Sequence, residues 1–256
     1  MRFLRYETEH GPRWGIVAGE KENLADELTG APWAVGTART GVQRPIAMLR
    51  LVAPAEPTKI VCVGRNYRAH AKELGNEVPK EPLLFLKSPS ALLKPNGEIF
   101  CPPESDDVQH EAELGVVIGR KMTRVSPENV RPGIFGLTCV NDVTARDLQR
   151  AETQFTRAKS FDTFCPVGPS IVTGVSWDAL SVKCRVNGEL RQDGNTRDFV
   201  FPVERLVSFA SCAMTLYPGD IISTGTPAGV SRVVPGDLVE VEIEGVGLLV
   251  NRVVGV

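Results

Sequence analysis

The chain has 256 residues, of which 42% are hydrophobic and 23% are charged, and its formal net charge is −2. This length suffices for one large domain or for a main domain with a small appendage, and the near-neutral charge excludes a broad electrostatic attraction to nucleic acid or acidic lipid. The opening MRFLRYETEHGPRW lacks the apolar core of a signal peptide, and no segment approaches the roughly 20 apolar residues of a membrane span. We therefore expect a cytoplasmic protein with neither nucleic acid nor a membrane as a partner.

The cysteines and histidines restrict the kind of metal site that the chain can form. The six cysteines, at positions 62, 101, 139, 165, 184 and 212, have no CxxC or other paired spacing, which argues against a zinc knot or a disulfide framework. We expect them to be reduced and mostly buried. With three histidines in the whole chain, any metal ion is expected to bind oxygen ligands.

Residues 1 to about 53 predict a small β-rich unit. The segments RFLRYE and RWGIVAG flank the turn-like HGPR, and the following LTGAPWAVGTARTGVQRP predicts a looser piece. Pro54 and Pro57 interrupt regular structure in VAPAEPTK, which is typical of a connector. We therefore expect a small N-terminal β-rich domain at residues 1–56 and a main domain at residues 57–256.

The remaining segments predict mostly strands with a few short helices. Strands are expected in KIVCVG, EAELGVVIG, IFGLTCVND and DIISTG, a short helix in NYRAHAKELG ending at Gly75, and a longer helix in VERLVSFASCAMTL. RDLQRAETQFTRAKSFD predicts a helix followed by a loop. Asn187-Gly188 is typical of a type I′ hairpin turn, and DLVEVEIEGVGLLVNRVVGV predicts a terminal hairpin with one solvated face. The fold class is mainly β (α+β).

Glu111 and Glu113 in HEAELGVVIG share one face if this segment is a strand. A solvated face would explain such a pair, as in VEVEIE, but here the run that follows is apolar on both faces. Two carboxylates entering the interior would repel and take up a proton unless a cation compensates them. Asp142, after a second apolar run, offers a third oxygen ligand, although it would also serve as a helix N-cap. Three carboxylates suit Mg²⁺, Mn²⁺ or Ca²⁺ rather than zinc.

His70 and Glu73 form a second candidate pair, because residues three apart on a helix lie on the same face. The carboxylate would orient the imidazole, which would then take a proton from water near neutral pH. A surface ion pair is the alternative explanation. Lys159, beside aromatic residues in RAKSFD, would stabilise an oxyanion or would simply be solvated.

Six segments in order resemble the conserved blocks of the fumarylacetoacetate hydrolase superfamily: VGRNYRAHAKE, HEAELGVVIG, NDVTARDLQ, AKSFDTFCPVGP, VNGELRQ and GDIISTGTPAGV. The resemblance implies a mixed β-sandwich or β-roll with short helices as the catalytic domain, usually as a homodimer. It also implies Mg²⁺ or Mn²⁺, with Ca²⁺ as a substitute, bound by Glu111, Glu113 and Asp142. The apolar IVCVG stands where the enzyme that hydrolyses fumarylacetoacetate has a further aspartate ligand, so the chain resembles the short acylpyruvase-like branch.

The resemblance also implies roles for other side chains. His70 and Glu73 match the water-activating pair, and Lys159 matches the lysine that stabilises the developing enolate. The positions that match substrate contacts are Arg65, Gln149 and Thr226, while Asn141 and Arg146 match supporting positions. Separately from the resemblance, Arg65, Arg68 or Arg157 would serve to hold a distal carboxylate of the substrate, or all three would simply be surface charges.

Three reactions share the enolate that such a site stabilises. A Mg²⁺- or Mn²⁺-dependent cleavage of a C–C bond in a 2-oxo or 2,4-dioxo acid, by acylpyruvate hydrolysis or oxaloacetate decarboxylation through a metal-bound enolate, is our first hypothesis. The alternative is a 2-hydroxyhepta-2,4-diene-1,7-dioate isomerase or the associated 5-oxopent-3-ene-1,2,5-tricarboxylate decarboxylase of aromatic catabolism. A non-catalytic protein that binds small acids is a further alternative.

Overall fold

The computed structural model describes residues 1–19 and 23–255, and most of their regular structure is β-strand. The strands are β1 Arg2–Tyr6, β2 Arg13–Ala18, β3 Leu24–Leu28, β4 Arg39–Pro45, β5 Ile60–Gly64, β6 Leu83–Lys87, β7 Leu92–Leu93, β8 Glu98–Cys101, β9 Val108–Gln109, β10 Ala112–Ile118, β11 Ile134–Asn141, β12 Thr144–Ala145, β13 Cys165–Val172, β14 Ser181–Val186, β15 Glu189–Asn195, β16 Ile221–Ser223, β17 Leu238–Ile243 and β18 Gly247–Gly255. The α-helices are α1 Arg68–Glu73, α2 Arg146–Ala151, α3 Thr156–Lys159 and α4 Val203–Ala213. Short 3-10 helices lie at Ile46–Met48, Pro89–Ala91, Pro127–Asn129, Arg131–Gly133 and Thr196–Asp198.

An 11-stranded mixed sheet forms the frame, in the order β4-β3-β2-β1-β13-β11-β10-β16-β5-β6, with β7 paired to β13. Strands β10 and β11 are antiparallel neighbours near its centre, and the whole of β10 is buried. Burial on both faces explains why its sequence from Leu114 onwards is continuously apolar rather than alternating. The carboxylate-bearing end of β10 therefore lies inside the protein, not at a solvated edge.

A second, five-stranded sheet, in the order β15-β14-β17-β18-β8, packs against the central strands of the first. Alternate side chains of β17, Val239, Val241 and Ile243, are buried in the core, while Glu240 and Glu242 point away from it. The predicted terminal hairpin with one solvated face is thus confirmed. The two sheets form a β-sandwich-like core with short helices at its edge, which confirms the predicted mainly β fold class.

Several local predictions are also confirmed. Asn187 and Gly188 have φ values of 53° and 81° between the antiparallel strands β14 and β15, as a type I′ turn requires. The helix predicted to end at Gly75 spans Arg68–Glu73. All six cysteines are free, and four of them are buried.

Two local predictions differ from the structure. The segment after β3 was expected to be loose, but it contains the exposed edge strand β4, which pairs with β3. Its side chains are mostly polar, so the pairing comes from backbone hydrogen bonds that the side-chain pattern does not signal. The loop expected after α2 contains the short helix α3, which places Lys159 at its last position.

The N-terminal strands extend the main sheet, because β1 pairs with both β2 and β13. A small separate core of Phe3, Ile16 and Leu28 lies beneath them. The division at residue 56 stays a prediction. Within the described residues, no helix combines the length and apolar character needed to cross a membrane.

Candidate active site

Glu111, Glu113 and Asp142 lie together where β10 begins and β11 ends. Because the two strands are antiparallel neighbours, the residue before β10 and the residue after β11 meet at the same end of the pair. The amide N–H of Asp142 donates to the carbonyl of Glu111 at 2.8 Å, and the amide of Glu111 donates to the Asn141 side-chain oxygen at 2.9 Å. One oxygen of each of the three carboxylates lies within 4.8 Å of the others, and all three side chains are buried.

Three basic side chains compensate this acidic cluster. Lys159 Nζ donates to Glu111 Oε2 at 2.8 Å and to Asp142 Oδ2 at 2.6 Å. Lys87 Nζ donates to the other oxygen of Asp142 at 2.7 Å, and the Arg146 guanidinium donates to Glu111. All three are fully buried, so these are ion pairs of the interior rather than surface contacts.

The charges around the two glutamates differ, and their pKa values shift in opposite directions. Burial alone would raise the pKa of Glu111, but the charges of Lys159 and Arg146 outweigh it and hold that pKa well below its usual range. No basic side chain among the residues that the structure describes bonds to Glu113, so burial, followed by the charges of Asp142 and Glu111, raises its pKa well above the usual value. Among the described residues, Glu113 therefore lacks the positively charged partner that Glu111 has.

The cluster fits a divalent metal ion on the chemistry of its donors. One oxygen of Glu113 accepts hydrogen bonds from the Ser223 hydroxyl and, at 2.8 Å, from the Gly225 amide. Its other oxygen has no hydrogen-bond donor among the residues that the structure describes, so it is left for a cation. Three buried carboxylate oxygens within one ion's reach are the ligands that Mg²⁺ and Mn²⁺ prefer.

His70 and Glu73 form the predicted pair on α1. His70 Nδ1 lies 3.2 Å from Glu73 Oε2, and the other carboxylate oxygen of Glu73 accepts from the Gly229 amide at 2.9 Å. Glu73 therefore fixes the imidazole from one side while the loop at Gly229 fixes Glu73. Burial lowers the pKa of His70, opposed by the charges of Glu111 and Glu73, so the ring is neutral at pH 7 and can accept a proton.

A cavity of about 430 Å³ joins the acidic cluster, the His70–Glu73 pair and Lys159. The three residues predicted to contact substrate, Arg65, Gln149 and Thr226, also line it. The Thr226 hydroxyl already donates to the carbonyl of Ala112 at 2.9 Å and accepts from Gln192 at 2.7 Å. A hydroxyl has one proton and two lone pairs, so Thr226 keeps one acceptor position for a ligand donor.

Three arginines were considered for binding a distal carboxylate of the substrate, and of these only Arg65 lines the cavity. Arg68 lines a separate cavity beside Tyr67, and Arg157 bonds to Glu152 at the surface. Arg68 and Arg157 both lie outside the cavity that holds the acidic cluster, as the surface-charge alternative for them expects.

Two basic residues near the cavity were missed by sequence reasoning. Lys87 ends the apolar segment LLFLK of β6, and a charge at the end of an apolar strand is the signal that had already marked Asp142. Arg150 lines the cavity from the last turn of α2, but nothing in the sequence distinguishes it from the other exposed arginines.

Comparison with known proteins gives two family matches that together cover nearly the whole chain. Residues 59–254 match the family described as fumarylacetoacetate (FAA) hydrolase C-terminal, and residues 1–54 match the family described as Rv2993c-like, N-terminal. The human protein named oxaloacetate tautomerase FAHD2A, mitochondrial, is 44% identical over 288 residues, covering 99% of this chain and 92% of that protein.

Two solved structures from mycobacteria have the same fold over the full length. The structure named 5-carboxymethyl-2-hydroxymuconate delta-isomerase from Mycobacterium smegmatis has a TM-score of 0.93 and 39% identity, with 100% of both chains covered. The structure named 2-hydroxyhepta-2,4-diene-1,7-dioate isomerase from Mycobacterium marinum has a TM-score of 0.92 and 41% identity, covering 100% of this chain and 98% of that one. With the fold, the acidic cluster and these matches in agreement, the chain belongs to the fumarylacetoacetate hydrolase family.

Proposed function

We propose that this protein is a divalent-cation-dependent enzyme that moves a proton on a 2-oxo dicarboxylic acid through its enolate. Keto–enol tautomerisation of oxaloacetate is the first candidate reaction. The observation that carries this proposal is the common cavity, in which a buried three-carboxylate cluster and a neutral histidine lie together. The whole-length similarity to an oxaloacetate tautomerase and to two isomerases favours proton transfer over the C–C cleavage that the sequence first suggested.

Glu111, Glu113 and Asp142 would hold Mg²⁺ or Mn²⁺. When bound, such an ion acts as a Lewis acid that draws electrons from the 2-oxo group and makes the C3 protons more acidic. A six-coordinate Mg²⁺ or Mn²⁺ ion held by these three carboxylates would have room for further oxygen ligands from the substrate.

His70 would be the general base. It would remove a proton from C3, the electron pair of that C–H bond would form the C2–C3 double bond, and the C2 oxygen would then take a proton to give the enol. The reverse sequence returns the keto form. A neutral imidazole with an oriented ring is in the protonation state that a general base requires, because the lowered pKa of His70 leaves the ring unprotonated at pH 7.

Lys159 would stabilise the negative charge that develops on the C2 oxygen. Burial alone would lower the pKa of this lysine, but the charges of Asp142 and Glu111 outweigh it, so the ammonium group stays protonated at pH 7. A fixed positive charge in a buried site stabilises a developing oxyanion more than the same charge would in water.

C–C bond cleavage is the second candidate, and the Glu73-oriented His70 is the observation that favours it. The same imidazole would take a proton from water rather than from carbon, and the water would attack the C4 carbonyl of an acylpyruvate. Isomerisation of a 2-hydroxy-diene-dioate is proton transfer along a conjugated chain and falls under the first candidate. We also propose that the protein is a homodimer and is located in the cytoplasm.

The deciding experiment compares these reactions on one preparation. Protein stripped with a chelator and reloaded with Mg²⁺ or Mn²⁺ is given the enol form of oxaloacetate, the 2-hydroxy-diene-dioate and acetylpyruvate, with pyruvate release measured separately from loss of the enol absorbance. We expect metal-dependent loss of the enol without matching pyruvate release, abolished in His70→Ala and retained in His10→Ala, which changes an exposed histidine. Faster pyruvate release from acetylpyruvate would select the second candidate, and no metal-dependent reaction on any substrate would reject both.

A further inference from the structure

The wall of the active-site cavity carries equal numbers of acidic and basic side chains. The cavity wall carries four carboxylates and four basic side chains, namely Glu73, Glu111, Glu113, Asp142, Arg65, Arg146, Arg150 and Lys159. A divalent cation bound to the acidic cluster would therefore leave an excess of two positive charges. A dianionic ligand restores the balance, whereas a 2-oxo acid with one carboxylate leaves the cavity with a net positive charge.

Two of the four basic side chains are already committed to the acidic cluster. Arg146 and Lys159 bond directly to Glu111, at the buried end of the cavity. Arg65 and Arg150 are left to meet the far end of a ligand. Within the described ranges, Arg65 makes no salt bridge, and the only salt bridge of Arg150 is a 3.5 Å contact with Asp107.

The backbone of Arg65 lies near the acidic cluster rather than at the cavity mouth. The side chain of the next residue, Asn66, donates to the carbonyl of Thr224 at 2.8 Å. The residue after Thr224 is Gly225, whose amide binds Glu113. The backbone next to Arg65 is thus tied to the loop that binds Glu113, so Arg65 starts from the buried end of the cavity.

Arg150 lies at the opposite end of the cavity. It follows Arg146 by four residues on α2, so the two side chains share a helix face about 6 Å apart along the axis. The Arg146 side chain is 2% exposed and the Arg150 side chain is 64% exposed, which marks the direction from the buried end to the mouth. Gln149, also on this face, lines the wall between them.

We propose that Arg150 is the specificity-determining residue that recognises the distal carboxylate of the substrate, and that Asp107 holds its guanidinium at the cavity mouth until a ligand replaces it. This proposal rests on the proposed 2-oxo acid function. The Asp107 contact is long and solvent-exposed, and such pairs are weak, so exchanging it for a substrate carboxylate costs little. Phe85 and Phe155 line the cavity as well, which suits a short unsaturated or methylene chain between two carboxylates.

The test uses two probes of matched shape, 2-oxoglutarate and 5-methyl-2-oxohexanoate, in which an isopropyl group replaces the distal carboxylate. Calorimetry on Mg²⁺-loaded wild-type protein is expected to give tighter binding of 2-oxoglutarate. Arg150→Gln is expected to reduce that preference about tenfold, as the loss of one hydrogen bond between charged groups does. Asp107→Asn frees the guanidinium and is expected to increase the preference.

Arg157→Gln is the matched control, because Arg157 is an exposed arginine on the next helix that bonds to Glu152 and does not line the cavity. It should leave the preference unchanged. Equal affinity of the wild-type protein for both probes, or the same preference in Arg150→Gln as in the wild type, overturns the proposal. Turnover distinguishes the proposed reaction from the role of Arg150. A carboxylate preference that depends on Arg150, without any turnover, would reject the proposed reaction alone. Turnover with no effect of the Arg150 substitution on the preference would reject the role of Arg150 alone.

Discussion

Replacing Lys159 by Met tests whether the lysine and a metal ion compensate the same carboxylates. The change keeps the length of the side chain and removes an ammonium group that donates to Glu111 and Asp142 in the interior. Removal of one partner from a buried ion pair typically destabilises a protein by about 3–5 kcal/mol. Because Asp142 keeps Lys87 and Glu111 keeps Arg146, we expect the lower end of this range, about 3 kcal/mol.

The loss should depend on the metal. For a chain of this length, about 3 kcal/mol corresponds to a fall in Tm of roughly 6–12 °C in chelator-treated protein. Saturating Mg²⁺ supplies the missing positive charge, so the loss should shrink to about 1 kcal/mol. By linkage, a difference of about 2 kcal/mol means that Mg²⁺ binds the variant about 30-fold more tightly than the wild type.

Thermal unfolding with chelator and with Mg²⁺ measures the loss of stability in each condition, and Mg²⁺ titration calorimetry measures the change in affinity. Lys80→Met is the control, because Lys80 is exposed and makes no ion pair with the described residues. An equal fall in Tm with and without Mg²⁺, or weaker Mg²⁺ binding by the Lys159 variant, would refute the view that lysine and cation share these ligands.

Three further changes test the site and its surroundings. Glu113→Gln should weaken Mg²⁺ binding by more than about 100-fold in calorimetry. Replacing a residue that only contacts a metal ligand already weakens metal binding by about 10–100-fold, and Glu113 is itself a proposed ligand. Glu77→Gln, at the surface, should leave Mg²⁺ binding unchanged. Glu73→Gln should move the acid limb of the pH profile of kcat/KM to lower pH. The Glu73 carboxylate raises the pKa of His70, and the neutral imidazole is the active form. An unchanged acid limb would count against His70 as the base. Burial lowers the pKa of His110 to about 4, below the value of 6.5 in the unfolded chain. The buried neutral ring must therefore be protonated at a cost in acid, so the free energy of unfolding should fall by about 3 kcal/mol between pH 6.5 and pH 4. His110→Gln should flatten the pH dependence of the free energy of unfolding in that interval, and an unchanged slope would assign the acid limb to the carboxylates.

Local sequence patterns were sufficient to single out most of the candidate site residues. Glu113 breaks an apolar strand, Asp142 follows another, and His70–Glu73 has helical spacing. These are short-range signals, and the family resemblance then linked them into one site. The structure places all four side chains, together with Glu111, around the same cavity.

The basic half of the site could not be predicted in the same way. Lys87 reaches Asp142 across 55 positions of the chain, and its partner depends on β6 lying at the end of the main sheet next to β5. Arg150 gains its position only because α2 packs with Arg146 towards Glu111. Pairings between distant segments are set by topology, and neither periodicity nor residue type carries that information.

The choice among the candidate reactions depends on which proton His70 can reach, because each of them forms an enolate with its negative charge on the C2 oxygen. If the C3 carbon of the ligand lies against the imidazole, the proton moves between carbon and oxygen, and water in that position would only be a competitor. If water lies there instead, attack at C4 breaks the C–C bond. Glu73 and the Gly229 amide hold the ring in one orientation, so the fixed element is the base and the variable element is the length of the ligand. A distal carboxylate bound at Arg150 would set that length, and for this reason specificity at the cavity mouth and reaction type at its buried end are expected to change together.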